Sequence, residues 1–127
     1  MTVVLDTSAL IYWTLNPTKL TPDAVNAIAA ATRIVVSSIS IWEIGIKVQK
    51  GKLTIPLPID DFAQRLQRVR GVELLAVDTE TWLANIALSW AHRDPADRTI
   101  VATAMLLGAP LITSDRAIGR FYAQTIW

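Results

Sequence analysis

The sequence predicts an α/β fold of three layers, in which helices cover both faces of a central, mostly parallel sheet of about four or five strands. Short apolar runs rich in β-branched residues alternate along the chain with longer segments whose apolar residues recur at helical spacing, and this alternation is typical of βαβ units. The chain has 127 residues, 52% of them hydrophobic, which is enough for one core. No repeat, low-complexity segment or linker divides it, so residues 1–127 are expected to form a single domain.

The predicted elements follow one another in a regular order. Val3, Val4 and Leu5 form the first apolar run, which is expected to be a strand buried on both faces. The strands are predicted over residues 3–5, 34–36, 72–77, 110–113 and 124–127. Helices are predicted to start near residues 8, 22, 39, 60, 79, 95 and 115, and the one that starts near residue 79 is expected to include Trp90.

Composition excludes several classes of protein. The absence of cysteine rules out disulfides and thiolate metal sites, and it fits a reducing compartment. No apolar run approaches the ~18 residues of a membrane span, and the N-terminal residues lack the basic region of a signal peptide. We therefore expect a cytoplasmic protein that does not associate with membranes. Charged residues are only 18% of the chain, so part of the apolar surface is expected to be covered by another chain, while most of the five Trp are expected in the core.

Asp6 follows the first predicted strand, at the point where a helix is predicted to begin. In open parallel α/β sheets, ligands bind at the carboxyl ends of the strands. Burying an unpaired carboxylate is costly, so an acidic residue at this edge needs a partner. Asp6 could cap the helix by accepting backbone N–H groups, or it could act in a functional site. Taken alone, the position of Asp6 leaves both explanations open.

Four further acidic residues lie near predicted strand ends or helix starts: Glu43, Asp94, Asp97 and Asp115. Because the ends of parallel strands meet at one edge, several of these carboxylates could share a pocket with Asp6. Carboxylates at close range repel one another unless they are protonated or neutralised by a cation. With no cysteine and a single histidine, the available oxygen ligands favour Mg²⁺ or Mn²⁺.

Each of these acids also has a purely structural explanation. Ser40 and Glu43 have the spacing of a capping box, although the apolar neighbours of Glu43 favour a functional role. Asp94 precedes a proline and is a good N-cap, so capping is favoured over metal ligation there. Asp97 would lie in the first turn of a helix, where the dipole favours an acid, and Asp115 is also a plausible cap. One shared site accounts for all of these positions at once.

Four motifs containing these acids occur in a characteristic order over nearly the whole chain. They are Leu5-Asp6-Thr7-Ser8-Ala9, Ser40-Ile41-Trp42-Glu43-Ile44 continuing to Lys47, Asp94-Pro95-Ala96-Asp97-Arg98 running into Ala102-Thr103-Ala104, and Ile112-Thr113-Ser114-Asp115. In this order and spacing the chain resembles the PIN-domain ribonucleases, especially the VapC-type toxins of bacterial toxin–antitoxin pairs. Position 96 is alanine where this subgroup often has an aromatic residue.

The resemblance implies a PIN-like fold and a metal-dependent endoribonuclease that hydrolyses RNA phosphodiester bonds. It implies that Asp6, Glu43 and Asp97 hold Mg²⁺ or Mn²⁺, with Asp115 as a fourth acid. It also implies a homodimer and a cognate VapB-like antitoxin. Asp94 and His92 look like an extension of the third motif.

Other polar residues near these motifs are candidates for supporting roles. Thr7, Ser8 and Ser114 are adjacent to the proposed ligands and could support them by hydrogen bonds. The cationic residues Lys47, Arg98 and Arg116 are candidate RNA contacts, although solvation or a helical pair between Glu43 and Lys47 explains any one of them equally well. His92 is more consistent with surface or packing roles than with catalysis.

Other functions fit the sequence less well. A haloacid dehalogenase-type phosphatase would need a second aspartate two residues after Asp6, and that residue is Ser8. Neither a P-loop nor a GxGxxG turn is present, so nucleotide binding is poorly supported. An RNA-processing PIN nuclease outside a toxin–antitoxin pair would share the same acidic site. A non-catalytic PIN module for RNA binding or scaffolding would have no need of clustered carboxylates.

Overall fold

Five parallel strands form one sheet in the computed structural model, which describes residues 1–127. The strands are β1 (Thr2–Leu5), β2 (Arg33–Ser37), β3 (Val72–Leu75), β4 (Leu111–Ile112) and β5 (Thr125–Ile126). Their spatial order is β3-β2-β1-β4-β5, and every neighbouring pair is parallel. The predicted parallel sheet is confirmed, with the first strand of the chain at its centre.

Seven α-helices cover the two faces of this sheet. They are α1 (Thr7–Leu15), α2 (Pro22–Ala30), α3 (Ser38–Gln49), α4 (Ile59–Gln67), α5 (Thr79–Ala87), α6 (Pro95–Leu107) and α7 (Arg116–Phe121). Val3 and Leu5 point to one face, where they pack in a core with residues of α1, α2 and α4. Val4 points to the other face and packs with residues of α6 and α7. Since successive side chains of a strand face opposite sides, this central strand is buried in both layers and the predicted three-layer fold is confirmed.

The observed start of α3 rules out a capping box formed by Ser40 and Glu43. The helix begins at Ser38, and the side chain of Ser37 caps it by accepting the backbone N–H of Ile39. Ser40 is therefore inside the first turn and fully buried, where its hydroxyl bonds the Thr7 hydroxyl at 2.9 Å. The capping box that the sequence offered as a structural explanation for Glu43 is therefore excluded, because α3 begins two residues before Ser40.

Two other elements end at least two residues earlier than predicted. β3 ends at Leu75 rather than at residue 77, because its partner β2 ends at Ser37, which is paired with Leu75. α5 ends at Ala87, so Trp90 lies outside the helix in which it was predicted. The backbone leaves the helical conformation at Leu88, which has φ −60° and ψ 121°.

The tryptophans are less buried than predicted. None of the five is fully buried, and Trp42 and Trp82 expose 57% and 43% of their surface. Ile86, on the same helix as Trp82, is 75% exposed. None of the helices combines the length and the apolar character that a membrane span requires.

Candidate active site

A polar cavity of about 250 Å³ opens where β1, β2 and β4 end and where several helices begin. No hydrophobic residue lines it. The lining residues are Asp6, Thr7, Ser8, Glu43, Lys47, Asp94, Asp97, Ser114 and Asp115. The structure thus places all four predicted acidic ligands, and the four polar residues predicted to support them, around one space.

Asp6 both caps helix α1 and lines the cavity. Its Oδ1 accepts the backbone N–H of Ala9 at 2.7 Å, which makes Asp6 the N-cap of α1. Its Oδ2 accepts a hydrogen bond from the hydroxyl of Thr113. The same Thr113 oxygen accepts the backbone N–H of Asp115 at 3.1 Å. Thr113 therefore links two acids of the site. It is not among the site residues predicted from the sequence, because no local pattern indicates a contact across 107 positions.

The carboxylates of the cavity influence one another electrostatically. Burial raises the pKa of Asp6 from 3.8 to about 6, in spite of the two hydrogen bonds, which lower it. Repulsion from Asp97 and Asp115 raises the pKa of Asp6 further. Burial also raises the pKa of Asp97, and Asp94 and Asp115 add to this effect while a hydrogen bond from His92 opposes it. These residues therefore form one acidic cluster in which each negative charge disfavours the next.

Asp97 is positioned by two neighbours at the start of α6. Its backbone N–H donates to Asp94 Oδ1 at 3.0 Å, so Asp94 is the N-cap that the sequence favoured. Its side-chain Oδ2 lies 2.8 Å from His92 Nε2. The sequence favoured a surface or packing role for His92, whereas the structure brings it into direct contact with Asp97.

Glu43 reaches the cavity from α3, where it lies one turn before Lys47. Glu43 Oε2 is 3.5 Å from Lys47 Nζ, and the side chain of Glu43 is 16% exposed against 44% for Lys47. The lysine thus pairs with the acid and still has access to solvent at the edge of the cavity. Both explanations that the sequence left open for Lys47, orienting Glu43 and contacting a ligand, are compatible with this geometry.

Helix starts surround the cavity and reduce the cost of its negative charge. Asp6, Asp94 and Asp115 are the N-caps of α1, α6 and α7, and Asp115 Oδ1 accepts the backbone N–H of Ile118 at 3.1 Å. The partial positive charge at a helix N-terminus stabilises a nearby carboxylate. The capping roles that the sequence suggested for these acids therefore coexist with their place in the cavity.

Two of the predicted RNA contacts do not line this cavity. Arg98 directs its guanidinium to backbone carbonyls of Leu88, Trp90 and His92 and to the backbone and side chain of Asn85. All five of its N–H donors are engaged in this way, so the prediction that Arg98 contacts RNA is not supported. Arg116 is exposed at the start of α7, next to Asp115, and its role remains a prediction.

The donor set of the cavity fits a hard divalent cation. Its acidic side chains offer only oxygen ligands, which Mg²⁺ and Mn²⁺ prefer, and a cation would relieve the repulsion among them. No group of three acidic or histidine side chains is arranged in this conformation to hold a metal ion.

Comparisons with known proteins agree with this fold. The model of the PIN domain family matches residues 3–124. Ribonuclease VapC22 of Mycobacterium tuberculosis is 30% identical over 118 residues, which cover 92% of this chain and 89% of that protein.

Solved structures show the same fold at lower identity. A toxin–antitoxin complex from Klebsiella pneumoniae has a chain with a TM-score of 0.68 and 17% identity, covering 98% of this chain and 96% of that one. VapBC2 from Rickettsia felis, bound to a promoter DNA fragment, has a chain with a TM-score of 0.67 and 15% identity over the full length of both chains. With a family model that matches almost the whole sequence, the chain belongs to the PIN-domain family.

Proposed function

We propose that this protein is a metal-dependent endoribonuclease that hydrolyses RNA phosphodiester bonds. The observation that carries the proposal is the cavity, which five acidic side chains line and which no hydrophobic residue lines. The similarity to a protein named as a ribonuclease supports RNA as the substrate. We further propose that residues 1–127 act as one catalytic domain.

In this proposal, Asp6, Glu43, Asp97 and Asp115 hold Mg²⁺ or Mn²⁺. A bound ion of this kind polarises a phosphoryl oxygen and makes water a better nucleophile at neutral pH. Thr113 keeps Asp6 in place by its hydrogen bond to Oδ2. The hydroxyls of Thr7, Ser8 and Ser114 line the same space.

Two cationic side chains near the cavity are proposed to contact the substrate backbone. Lys47 lies at the cavity edge with its side chain 44% exposed, and Arg116 is exposed beside Asp115. Both side chains can contact phosphates, and such contacts weaken as the salt concentration rises. The acidic cluster itself would repel RNA, so the cation is needed for substrate approach as well as for chemistry.

Removal of divalent metal is expected to abolish RNA cleavage. EDTA should stop the reaction, and Mg²⁺ or Mn²⁺ added in excess should restore it, because the carboxylates alone supply no electrophile for the phosphate. The products should carry a 5′-phosphate and a 3′-hydroxyl, since water rather than the ribose 2′-OH attacks. End-group analysis of a labelled RNA checks both points. Cleavage that persists in EDTA, or 2′,3′-cyclic phosphate ends, would contradict the mechanism.

We also propose that the protein is the toxin of a VapBC-type toxin–antitoxin pair, that it is cytoplasmic and that it forms a homodimer. The support is the similarity to a VapC ribonuclease and the fold shared with chains of toxin–antitoxin complexes. The exposed apolar side chains of Trp42, Trp82 and Ile86 are consistent with surface that another chain covers.

An adjacent gene for a small DNA-binding protein is expected to encode the antitoxin. Co-expression of the two proteins should yield a stable complex that does not cleave RNA, whereas this chain expressed alone should arrest growth. Size-exclusion chromatography and an RNA cleavage assay check this expectation. A free and active nuclease in the presence of the adjacent gene product would instead indicate an RNA-processing enzyme outside such a pair.

A further inference from the structure

The single histidine of the chain contacts an acid of the proposed metal site. We propose that His92 is a positioning residue for Asp97: its hydrogen bond restricts the rotation of the carboxylate and leaves one oxygen of Asp97 free for a divalent cation. His92 Nε2 and Asp97 Oδ2 are 2.8 Å apart, with the two side chains 26% and 22% exposed. The inference rests on the proposed function, because it concerns the metal that this function needs.

The chemistry of the pair determines which atom donates. An ionised carboxylate has only acceptor oxygens, so the hydrogen bond requires a proton on His92 Nε2. Both the neutral Nε2–H tautomer and the imidazolium satisfy this requirement. The bond occupies Asp97 Oδ2, whereas Asp97 Oδ1 accepts no hydrogen bond from the protein. One carboxylate oxygen is thus held and the other remains available as a ligand.

The imidazole ring is held in turn by a stack of three rings. Trp90 lies against His92 with ring centroids 4.4 Å apart and planes inclined by 14°. Trp90 also stacks on Phe121, with ring centroids 4.7 Å apart and planes inclined by 11°. Phe121 is the last residue of α7, so the stack connects His92 to the helix that Asp115 caps.

The backbone that carries the stack is fixed by Arg98, the residue that follows Asp97 in α6. Its Nη1 donates to the carbonyl of Trp90 at 2.6 Å and to that of His92 at 3.1 Å. Its Nη2 donates to the carbonyl of Asn85 at 2.6 Å, near the end of α5. The first turn of α6 therefore carries Asp97 and, through Arg98, also anchors the segment that contains His92. This arrangement limits the rotation of both partners in the hydrogen bond.

Two substitutions separate the hydrogen bond from the stack. His92→Phe keeps an aromatic ring against Trp90 and removes the N–H, whereas His92→Gln places an amide N–H at a similar reach and removes the ring. We expect His92→Phe to weaken Mn²⁺ binding by about 10- to 100-fold, the range found when a partner of a metal ligand is removed. His92→Gln should bind Mn²⁺ within a few-fold of the wild-type protein. Titration of Mn²⁺ followed by electron paramagnetic resonance measures the affinity, and near-UV circular dichroism checks that both variants are folded.

Wild-type Mn²⁺ affinity in His92→Phe, or equal losses in the two variants, would overturn the assignment. A wild-type protein that neither binds Mn²⁺ nor cleaves RNA would instead contradict the proposed function.

A second measurement needs no substitution. Because the chain has one histidine, ¹⁵N spectra show a single imidazole. We expect a proton on its Nε2 and a change in its shift when Mg²⁺ is added. An Nε2 without a proton, or a shift that Mg²⁺ leaves unchanged in a protein that binds the ion, would also overturn the proposal.

Discussion

Replacing Asp6 with asparagine is expected to lower RNA cleavage by at least about 100-fold while making the metal-free protein more stable at neutral pH. The loss of activity follows from removing a charged ligand, because a metal ion contributes several kcal/mol of transition-state stabilisation and each 1.36 kcal/mol is a factor of ten. The gain in stability follows from burial, since Asp6 is only 5% exposed and the folded state disfavours its ionised form.

The gain in stability of Asp6→Asn should depend on pH, which distinguishes the loss of a buried charge from other effects of the substitution. The pKa of Asp6 is raised from 3.8 to about 6 in the folded protein, so the stability associated with its protonated form is fully present below pH 3.8 and lost as the pH rises through 6. Above that pH, ionised Asp6 lowers the free energy of unfolding by up to about 3 kcal/mol, and an asparagine does not. The difference in the free energy of unfolding between Asp6→Asn and the wild-type protein should therefore be largest above pH 6 and small below pH 4.

Thermal unfolding in EDTA, measured from pH 4 to pH 8, checks the prediction. Mn²⁺ should raise the unfolding temperature of the wild-type protein more than that of Asp6→Asn, because the variant has lost a ligand. Asp6→Ala is a useful comparison, since it removes the cap of α1 as well as the charge. Its gain in stability should therefore be smaller than that of Asp6→Asn. An Asp6→Asn variant that cleaves RNA at the wild-type rate would show that the site is assigned wrongly.

Replacing Arg98 with methionine is expected to lower the free energy of unfolding by about 2–4 kcal/mol. Methionine preserves much of the aliphatic packing and removes five N–H donors at once, leaving carbonyls of Asn85, Trp90 and His92 without their partner. A lysine at this position should recover only part of the loss, because a single ammonium group cannot reach acceptors that a planar guanidinium spans.

Urea denaturation followed by tryptophan fluorescence measures this effect. Arg93→Met is the matched control, because Arg93 is exposed in the same segment and makes no hydrogen bond or ion pair in the structure. It should change the free energy of unfolding by no more than about 0.5 kcal/mol. If Arg98→Met were as stable as Arg93→Met, the hydrogen bonds of Arg98 would not be holding the segment between α5 and α6.

The sheet and the acidic cavity could be predicted because their causes are local or topological. A run such as Val3–Val4–Leu5 is apolar on both sides, which is typical of a strand buried on both faces of a parallel sheet. Once the strands are parallel, their carboxyl ends share one edge, and Asp6 and Asp115 lie there by topology alone. The helix starts could be placed closely for the same reason, since proline, hydroxyl and acidic residues favour the first turn.

The contacts that support the site could not be predicted. Arg98 lies in an acidic motif and is cationic, which suggested RNA, but its partners are carbonyls that become available only because α5 ends at Ala87. Trp90 fits the apolar spacing of that helix and was predicted to belong to it, whereas it lies after the helix and stacks on His92 and on Phe121. The periodicity of the local sequence indicates neither the carbonyl partners of Arg98 nor the ring partners of Trp90.

The sequence by itself therefore determined the layers of the fold, the position of the first strand and the set of acids that meet at its end. These follow from the spacing of apolar residues and from the geometry of parallel strands. Only the tertiary structure decided which neighbours hold those acids, as Thr113 does for Asp6 and His92 for Asp97. The physical reason is that a hydrogen bond between side chains depends on ångström-scale approach, and the chain brings such groups together only when it packs.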